Sequence, residues 1–395
     1  MHPSEQALGR AGGEPSGWAI AISGLAALAA AVGIGRFAFT PILPMMQEDF
    51  GVGAAQGGWL ASINSVGYLV GALWAMVQPA RPHHAIRAAL LVTALATLAM
   101  GLIDGMAAWL VLRLVAGISC AWALIHVTSW CVERLTPLRK PVLNGTVFAG
   151  VGAGIVAAGA LCLVLMRIAA GSHEAWITLG IVSLVMTGLV WPILGVSASA
   201  SAARSGKGKY GWTPDAVRLV LCYGAFGLGY IIPATFVPFI AKQMIPDPAV
   251  FGWAWPIFGV AAACSTLFAA RLMRAMGNRR LWMLGAFVMA LGVASPLVLP
   301  PLAGIAAAAL FVGGTFMVTT MAGIQEAREV AGAHASVLVA ALTSAFATGQ
   351  IVGPLLVSFL AGRPDGFAVA LLIAFVLLIA SVVALGVPRK PTVPT

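Results

Sequence analysis

Charged side chains are scarce in this sequence. They make up 9% of 395 residues, where a soluble chain carries about a quarter. Twelve Asp and Glu with 22 Lys and Arg cannot coat a soluble globule of this length, so a soluble enzyme and a disordered chain are both excluded. Cysteine is also sparse. Cys120, Cys131, Cys162, Cys222 and Cys264 all lie in apolar runs and none forms a C-x-x-C pair, so no disulfide framework or metal site follows. They read as small thiols buried in helices. The phosphate-binding sequence G-x-x-x-x-G-K-[ST] is missing, which argues against direct drive by ATP. No His/Cys/Asp cluster and no nucleophile–base pair stands out, so neither an enzyme nor a cofactor is expected.

What the chain has instead is apolar length: 61% of its residues are hydrophobic. A bilayer core needs about 20 mostly apolar residues per helix. Twelve such runs occur, at 18–45, 57–78, 85–103, 107–131, 144–168, 175–196, 218–241, 251–272, 281–299, 303–325, 335–361 and 366–387. They are too long and too evenly apolar for barrel strands. Helices also satisfy their own backbone polar groups in lipid. The first run is too long for a signal peptide and its pattern returns later in the chain. An all-α membrane protein of twelve transmembrane helices is the expected fold.

The formal charge of +10 is a topology signal. With the N-terminus in the cytoplasm, most Lys and Arg fall on inner loops and tails. The outer loops keep Arg167, Lys242 and Arg363, and Arg36 and Arg113 remain inside helices. This asymmetry places both termini inside, in contact with anionic membrane lipids, and needs no nucleic-acid partner. Residues 197–217 are small, polar and basic, and read as a cytoplasmic linker. The expected organisation is an N-terminal tail at 1–17, a six-helix bundle at 18–196, the linker, a second bundle at 218–387 and a tail at 388–395.

The two halves repeat. Gly33-Ile34-Gly35-Arg36 with Pro44 matches Gly227-Leu228-Gly229-Tyr230 with Pro238 at an offset of 194, and Gly58-Trp59 matches Gly252-Trp253 at the same offset. Phe148-Ala149 matches Phe346-Ala347 at 198. Parallel six-helix repeats joined by a cytoplasmic linker describe the major facilitator superfamily. GIGRFAFTPILPMM (33–46), GVGAGIVAAG (150–159), GLGYIIPATFVPF (227–239) and FATGQIVGP (346–354) resemble its YbfB/YjiJ-like subgroup over essentially the whole chain. That resemblance implies two pseudo-symmetric six-helix bundles in the bacterial inner membrane and secondary transport by a monomer. It also implies a cavity lined by helices 1, 4, 7 and 10.

The general superfamily motifs are only partly present. The loop after helix 2 reads Gln78-Pro79-Ala80-Arg81-Pro82-His83-His84 and lacks the expected Asp. After helix 8, Arg274 stands where the Asp would be, which puts the motif's charge latch in doubt. Arg113-x-x-x-Gly117 fits the superfamily pattern in helix 4. The glycines at 150, 152, 154 and 159 resemble the antiporter motif without its Pro. They lack the strand and acidic residue of a dinucleotide site. Gly150/Gly154, Gly67/Gly71 and Gly349/Gly353 instead read as small-xxx-small pairs for close helix packing.

An ionisable group inside a membrane helix is costly and points to a cavity or a partner. Arg36 lies in helix 1, about 8 Å outward of its midpoint, and Arg113 at a similar height in helix 4. Together they would make an anion site, because guanidinium donates paired hydrogen bonds and stays charged. The structural alternatives are that Arg113 bonds backbone carbonyls, and that Arg36 pairs with Glu48, Asp49 or Asp104. All the acidic residues map to loops or helix ends. Tyr230 takes the repeat position of Arg36, with Thr235 just beyond, and Pro233 and Pro238 bring bends to helix 7. Asn64, Tyr68 and Gln350 complete the candidate substrate-binding set, and Thr315, Thr319 and Thr320 are weaker candidates. His126 titrates near neutral pH and could carry a coupling proton, with Glu133 as its exit group. A neutral structural His is the alternative.

The expected function is secondary active transport of a small organic solute, an anion by the positive interior, coupled to protons. The rival is proton-coupled efflux of hydrophobic or aromatic compounds, suggested by the helix 5 glycines and the 12 Trp. A non-transporting membrane sensor is the rival of another class, and no soluble output domain is evident to support it.

Overall fold

A computed structural model describes residues 15–77, 82–138, 140–195, 211–245 and 247–388. Helix α1 spans Gly17–Phe50 in three pieces. It is followed by α2 (Ala54–Val77), α3 (Pro82–Ala99), α4 (Met106–Leu135), α5 (Pro141–Arg167) and α6 (Ser172–Val190). The second half holds α7 (Pro214–Met244), α8 (Ala254–Met276), α9 (Asn278–Val298), α10 (Pro301–Ala331), α11 (Ala335–Leu360) and α12 (Gly366–Gly386). No strand occurs among the described residues. Nine helices among them are long and apolar enough to cross a membrane; His83–Ala99 and Ala254–Ala269 are shorter apolar helices. Both tails expected at the chain ends, most of the 197–217 linker and the loop at 78–81 lie outside the described residues.

Local chemistry sets the helix ends. Ser16 caps α1 by accepting from the Ala19 amide at 3.2 Å. Gly51 closes it in a left-handed conformation at φ 67°, which glycine adopts without a Cβ penalty. Helix α7 starts at Pro214, four residues before the expected 218. Thr213 accepts from the Ala216 amide at 3.1 Å, and Pro214 is preorganised for the first helical position. Helix α10 runs to Ala331, six residues past the expected end. Glu326 therefore lies inside a helix, 2% exposed, instead of at a helix end.

The packing carries the repeat. In the first half α2 and α3 pack on α4, α1 on α5, and α3 on α6. In the second half α7 packs on α11 and α12, and α9 on α10 and α12. Between the halves, α2 lies on α11, α5 on α8, and the end of α1 on α7. Exchanging the halves maps the α2–α11 contact onto α8–α5 and the α1–α7 contact onto itself. That is the pattern a pseudo-twofold axis produces. Close approach rests on the small-residue pairs. A Cβ on Gly150 or Gly154 would strike the carbonyls of Leu25 and Ala29, and one on Gly67 or Gly71 those of Leu114 and Ile118. Gly349 lies on the Gly224 carbonyl and Gly353 on the Ile231 side chain. Large apolar side chains such as Leu189, Phe359 and Val383 face outward, toward lipid in a membrane protein.

Two faces follow from the helix directions. The terminal face holds the start of α1, the start of α7 and the end of α12, where Arg218 donates to the Val387 carbonyl at 3.0 Å. The distal face holds the ends of α1, α7 and α11.

Candidate functional site

The site begins with a break in α1. Gly17–Leu28 is α-helical, Ala29–Ile34 is a π-helical segment, and regular helix resumes only at Phe39. The Gly35 amide reaches back five residues to Ala30 at 3.0 Å, and the Phe37 amide reaches Val32 at 3.3 Å. Small residues with no steric hold (Ala29, Ala30, Ala31, Gly33 and Gly35) supply this stretch. The Thr40 amide turns to Phe37 instead of Arg36, so the carbonyls of Gly35 and Arg36 lose their helical donors. Non-helical backbone at membrane depth needs substitute partners.

Arg113 supplies them. From α4 its guanidinium donates to the carbonyls of Gly35 at 3.5 Å, Arg36 at 3.3 Å and Leu60 at 3.4 Å. It also lies over the Phe39 ring at 4.8 Å. Asn64 donates to the Arg113 carbonyl at 2.9 Å, which ties α2 to α4. The donors of Arg113 are thus engaged with backbone, the packing alternative drawn from the sequence.

Arg36 is placed differently. It is 6% exposed, and its Nη2 donates to Gln350 Oε1 of α11 at 2.9 Å and to Ser65 Oγ of α2 at 3.4 Å. The Tyr68 ring lies beneath it at 4.3 Å. Gln350 Nε2 in turn donates to the Tyr230 hydroxyl at 2.6 Å. The repeat-related pair Arg36 and Tyr230 therefore meets on one carboxamide. Among the described residues Arg36 has no carboxylate partner. The three expected alternatives are engaged elsewhere. Glu48 pairs with Lys242, Asp49 accepts from the Ser172 amide and hydroxyl, and Asp104 lies 3.5 Å from His173.

Aromatic rings surround this chain of bonds. Tyr230 is stacked between Phe316 of α10, at 5.5 Å and 4°, and Phe346 of α11, at 5.6 Å and 3°. Phe316 continues to Phe37 and to Phe258, and Trp255 of α8 touches both Phe37 and Phe258. Thr235 is buried and lines a cavity of about 20 Å³ with Arg36, Asn64, Ser65 and Arg113. That volume holds about one water.

From this cavity to the distal face the halves are tied together. On α2 and α11, Ser62 donates to the Ile351 carbonyl at 2.9 Å and Ser358 to the Ala55 carbonyl at 2.8 Å. Gly58 sits between them, with no room for a Cβ against Pro354 and Ser358. On α1 and α7, Thr40 donates to the Ala234 carbonyl at 2.8 Å, and Lys242 bonds Glu48 at 2.7 Å and the Pro44 carbonyl at 2.8 Å. Thr40 and Ala234 are 194 apart, as are Glu48 and Lys242, so repeat-equivalent positions meet across the axis. Beyond lies a vestibule of about 550 Å³ whose lining includes Gln47, Gln56, Gln243 and Arg363.

The remaining expected residues fall elsewhere. His126 lies 13 residues along α4 from Arg113, about 20 Å toward the terminal face. Its Nε2 is buried without a partner, and its ring meets Trp122 edge-on at 5.5 Å. Glu133 is exposed two further turns away. Thr315 and Thr320 bond carbonyls of their own helix, and Thr319 Oγ1 is buried without a partner. Helix α7 continues unbroken through Pro233 and Pro238. On the terminal face Asp215 bonds both Arg218 and Arg279, and Arg279 also lies 3.6 Å from Glu326. The arginine after α8 thus takes its acidic partners from α7 and α10, although the motif's own Asp is replaced.

Thr40, Ser65, Lys242 and the ring wall were not foreseen. The 194 offset applied to Thr40 and Glu48 would have found Ala234 and Lys242. The ring wall gathers residues from five helices and has no linear signature.

The family model described as "Uncharacterised MFS-type transporter YbfB" matches residues 28–385. No curated protein matches the sequence. A mutant of the nucleoside transporter NupG superposes with a TM-score of 0.72 at 14% identity, covering 93% of this chain and 98% of that one. A bacterial homologue of the human lysosomal transporter Spinster, inward-facing and unoccupied, gives 0.68 at 14% identity, covering 94% and 95%. At such identities the likeness shows the shared fold. The match over residues 28–385, with the all-helical two-half packing, makes the chain a member of the YbfB-type family of major facilitator transporters, a multi-pass membrane protein that moves a small-molecule substrate as a secondary transporter.

Proposed function

We propose that this transporter carries a small organic anion across the bacterial cytoplasmic membrane by alternating access, as a monomer of twelve spans with both termini inside. The two bundles of this reading run from α1 to α6 and from α7 to α12, the second starting at Pro214 instead of 218. The observation that carries the reading is Arg36: a buried guanidinium between the halves, with no carboxylate among the described residues to neutralise it. Burying a charge without an ionic partner is expensive, and a site that does so is ready for a counter-ion. Arg113 is the lesser partner, because it holds the broken backbone that aims Arg36.

Alternating access then has a physical form. The distal face is the outer one, and it is shut. A substrate carboxylate takes Arg36 in place of the Gln350 oxygen, which removes one tie between α1 and α11. Asn64 and Tyr68 hold the guanidinium's surroundings, while Tyr230 and Thr235 offer hydroxyls to the substrate. Opening outward must also break the ties at Ser62, Ser358, Thr40 and Lys242. At about 0.5–1.5 kcal/mol net for each hydrogen bond, four ties hold about 2–6 kcal/mol. Binding at millimolar to micromolar affinity supplies about 4–8 kcal/mol, so ligand and gate are of comparable weight.

Proton coupling is assigned to His126, with Glu133 as the exit group. The partnerless Nε2 supports a proton-exchanging role there. The ring wall favours a second reading, efflux of aromatic compounds, and transport direction in oriented vesicles decides between the two. The test of the anion reading is uptake of a carboxylate panel into vesicles bearing wild-type or Arg36→Gln protein. Carboxylate flux present in wild type and lost in correctly inserted Arg36→Gln supports it. Equal flux in both overturns it.

A further inference from the structure

The ring wall says what the anion carries besides its charge. Arg36 donates to Gln350, Gln350 donates to Tyr230, and the Tyr230 ring lies parallel to Phe316 and Phe346. A closely packed cluster of buried rings therefore begins one carboxamide away from the buried cation, and parting of the halves would uncover its faces. It extends through Phe316 to Phe37 and Trp255, drawn from α1, α7, α8, α10 and α11, so both halves contribute.

Two further observations point to a ligand. The Gln350 carboxamide places a carbonyl oxygen on Arg36 where a carboxylate oxygen would sit. Trp255, fully buried, has an indole N–H with no acceptor. A buried donor left unsatisfied is destabilising. Trp122, Trp176 and Trp282 share that deficit, but Trp255 is the one packed on Phe37, next to Arg36. An acceptor on a ligand ring would remove the cost.

We infer that the substrate class is a planar aromatic monocarboxylate. Its carboxylate binds Arg36 in place of the Gln350 oxygen. Its ring enters beside Phe37 and Phe316 as the halves part, because in the closed state these rings pack on one another. A ring hydroxyl or other acceptor meets the Trp255 N–H. This rests on the anion reading above and adds the ring to it. An aliphatic acid satisfies Arg36 but not the wall, and a neutral aromatic satisfies the wall but not Arg36.

The test is equilibrium binding to the purified full chain with five probes: benzoate, para-hydroxybenzoate, cyclohexanecarboxylate, benzamide and uridine. Ring–ring contacts add about 0.5–1.5 kcal/mol beyond area, so benzoate should bind up to about tenfold tighter than cyclohexanecarboxylate. Para-hydroxybenzoate should bind tighter still, and Trp255→Phe should erase that increment alone. Phe316→Leu should bring benzoate down to the affinity of cyclohexanecarboxylate, with Phe346→Leu as the second variant if the first does not fold. Arg36→Gln should weaken binding of every carboxylate by about 30-fold or more. Equal binding of benzoate and cyclohexanecarboxylate, both weakened to that extent in Arg36→Gln, overturns the aromatic class and leaves the anion reading intact. Binding of benzamide or uridine but no carboxylate overturns both, as does binding of none of the five.

Discussion

Replacing Arg113 by Ala tests the proposed division between a structural arginine, Arg113, and a substrate-binding one, Arg36. The guanidinium is 3% exposed and donates to three backbone carbonyls, two of them freed by the break in α1. Each carbonyl left dry costs about 1–3 kcal/mol. Leu60 lies inside α2 and keeps its helical donor, so two carbonyls are left dry; the bonds are long, at 3.3–3.5 Å, so the lower end applies and the total is about 2–3 kcal/mol. Arg113→Lys keeps the charge but cannot span three acceptors, and should fall between wild type and Ala. Arg36→Gln removes no backbone partner and should leave folding stability near wild type. The assay is thermal unfolding of detergent-purified protein with a thiol-reactive dye. Cys120, Cys131, Cys162 and Cys222 are buried and report unfolding, while exposed Cys264 sets the baseline. The expected order of melting midpoints is wild type, then Arg113→Lys, then Arg113→Ala, with Arg36→Gln beside wild type. An Arg113→Ala protein that melts with wild type yet binds no carboxylate would refute the division of labour.

Gly58→Leu should wedge α2 from α11 and hold the distal face open, because the glycine has no room for a Cβ against Pro354 and Ser358. In a Cys264→Ser background, a cysteine placed at Ser358 should then label faster with an impermeant thiol reagent from the distal side; unchanged labelling would show that this crossing is not the gate. Glu48→Lys places two cations together at the axis. Glu48 is 67% exposed, so the effect is screened to about 1 kcal/mol, or about a fivefold gain in the same labelling rate. Trp255→Phe removes an unsatisfied N–H but trims a fully buried ring, so the two effects oppose and the ligand-free melting midpoint should fall less than cavity formation alone would give; a full cavity-sized fall would contradict the unsatisfied N–H.

The helices and their repeat were legible because lipid imposes continuous apolar runs and because duplication left a constant offset. That offset reaches into the gate: Glu48 and Lys242 meet because each occupies the other's position across the axis. The break in α1 was not legible. Prolines at 233 and 238 drew attention to α7, yet α7 runs through them, whereas small residues in α1 relax its hydrogen bonding. Arg113 was read as a ligand-binding candidate because a buried charge looks the same in sequence whether it faces solute or backbone. Helix α10 was drawn short because an acid normally ends a span. Glu326 is tolerated inside it by Arg279, which arrives from α9, a contact no local pattern encodes.

The most direct test of the central claim is a calorimetric titration of benzoate into the wild-type and Arg36→Gln proteins. Removing one partner of a buried, hydrogen-bonded charge pair costs about 2–5 kcal/mol, or about 30-fold to several thousandfold in affinity. The account predicts a loss of that size in Arg36→Gln with an unchanged melting midpoint. Equal affinity in the two proteins would contradict it.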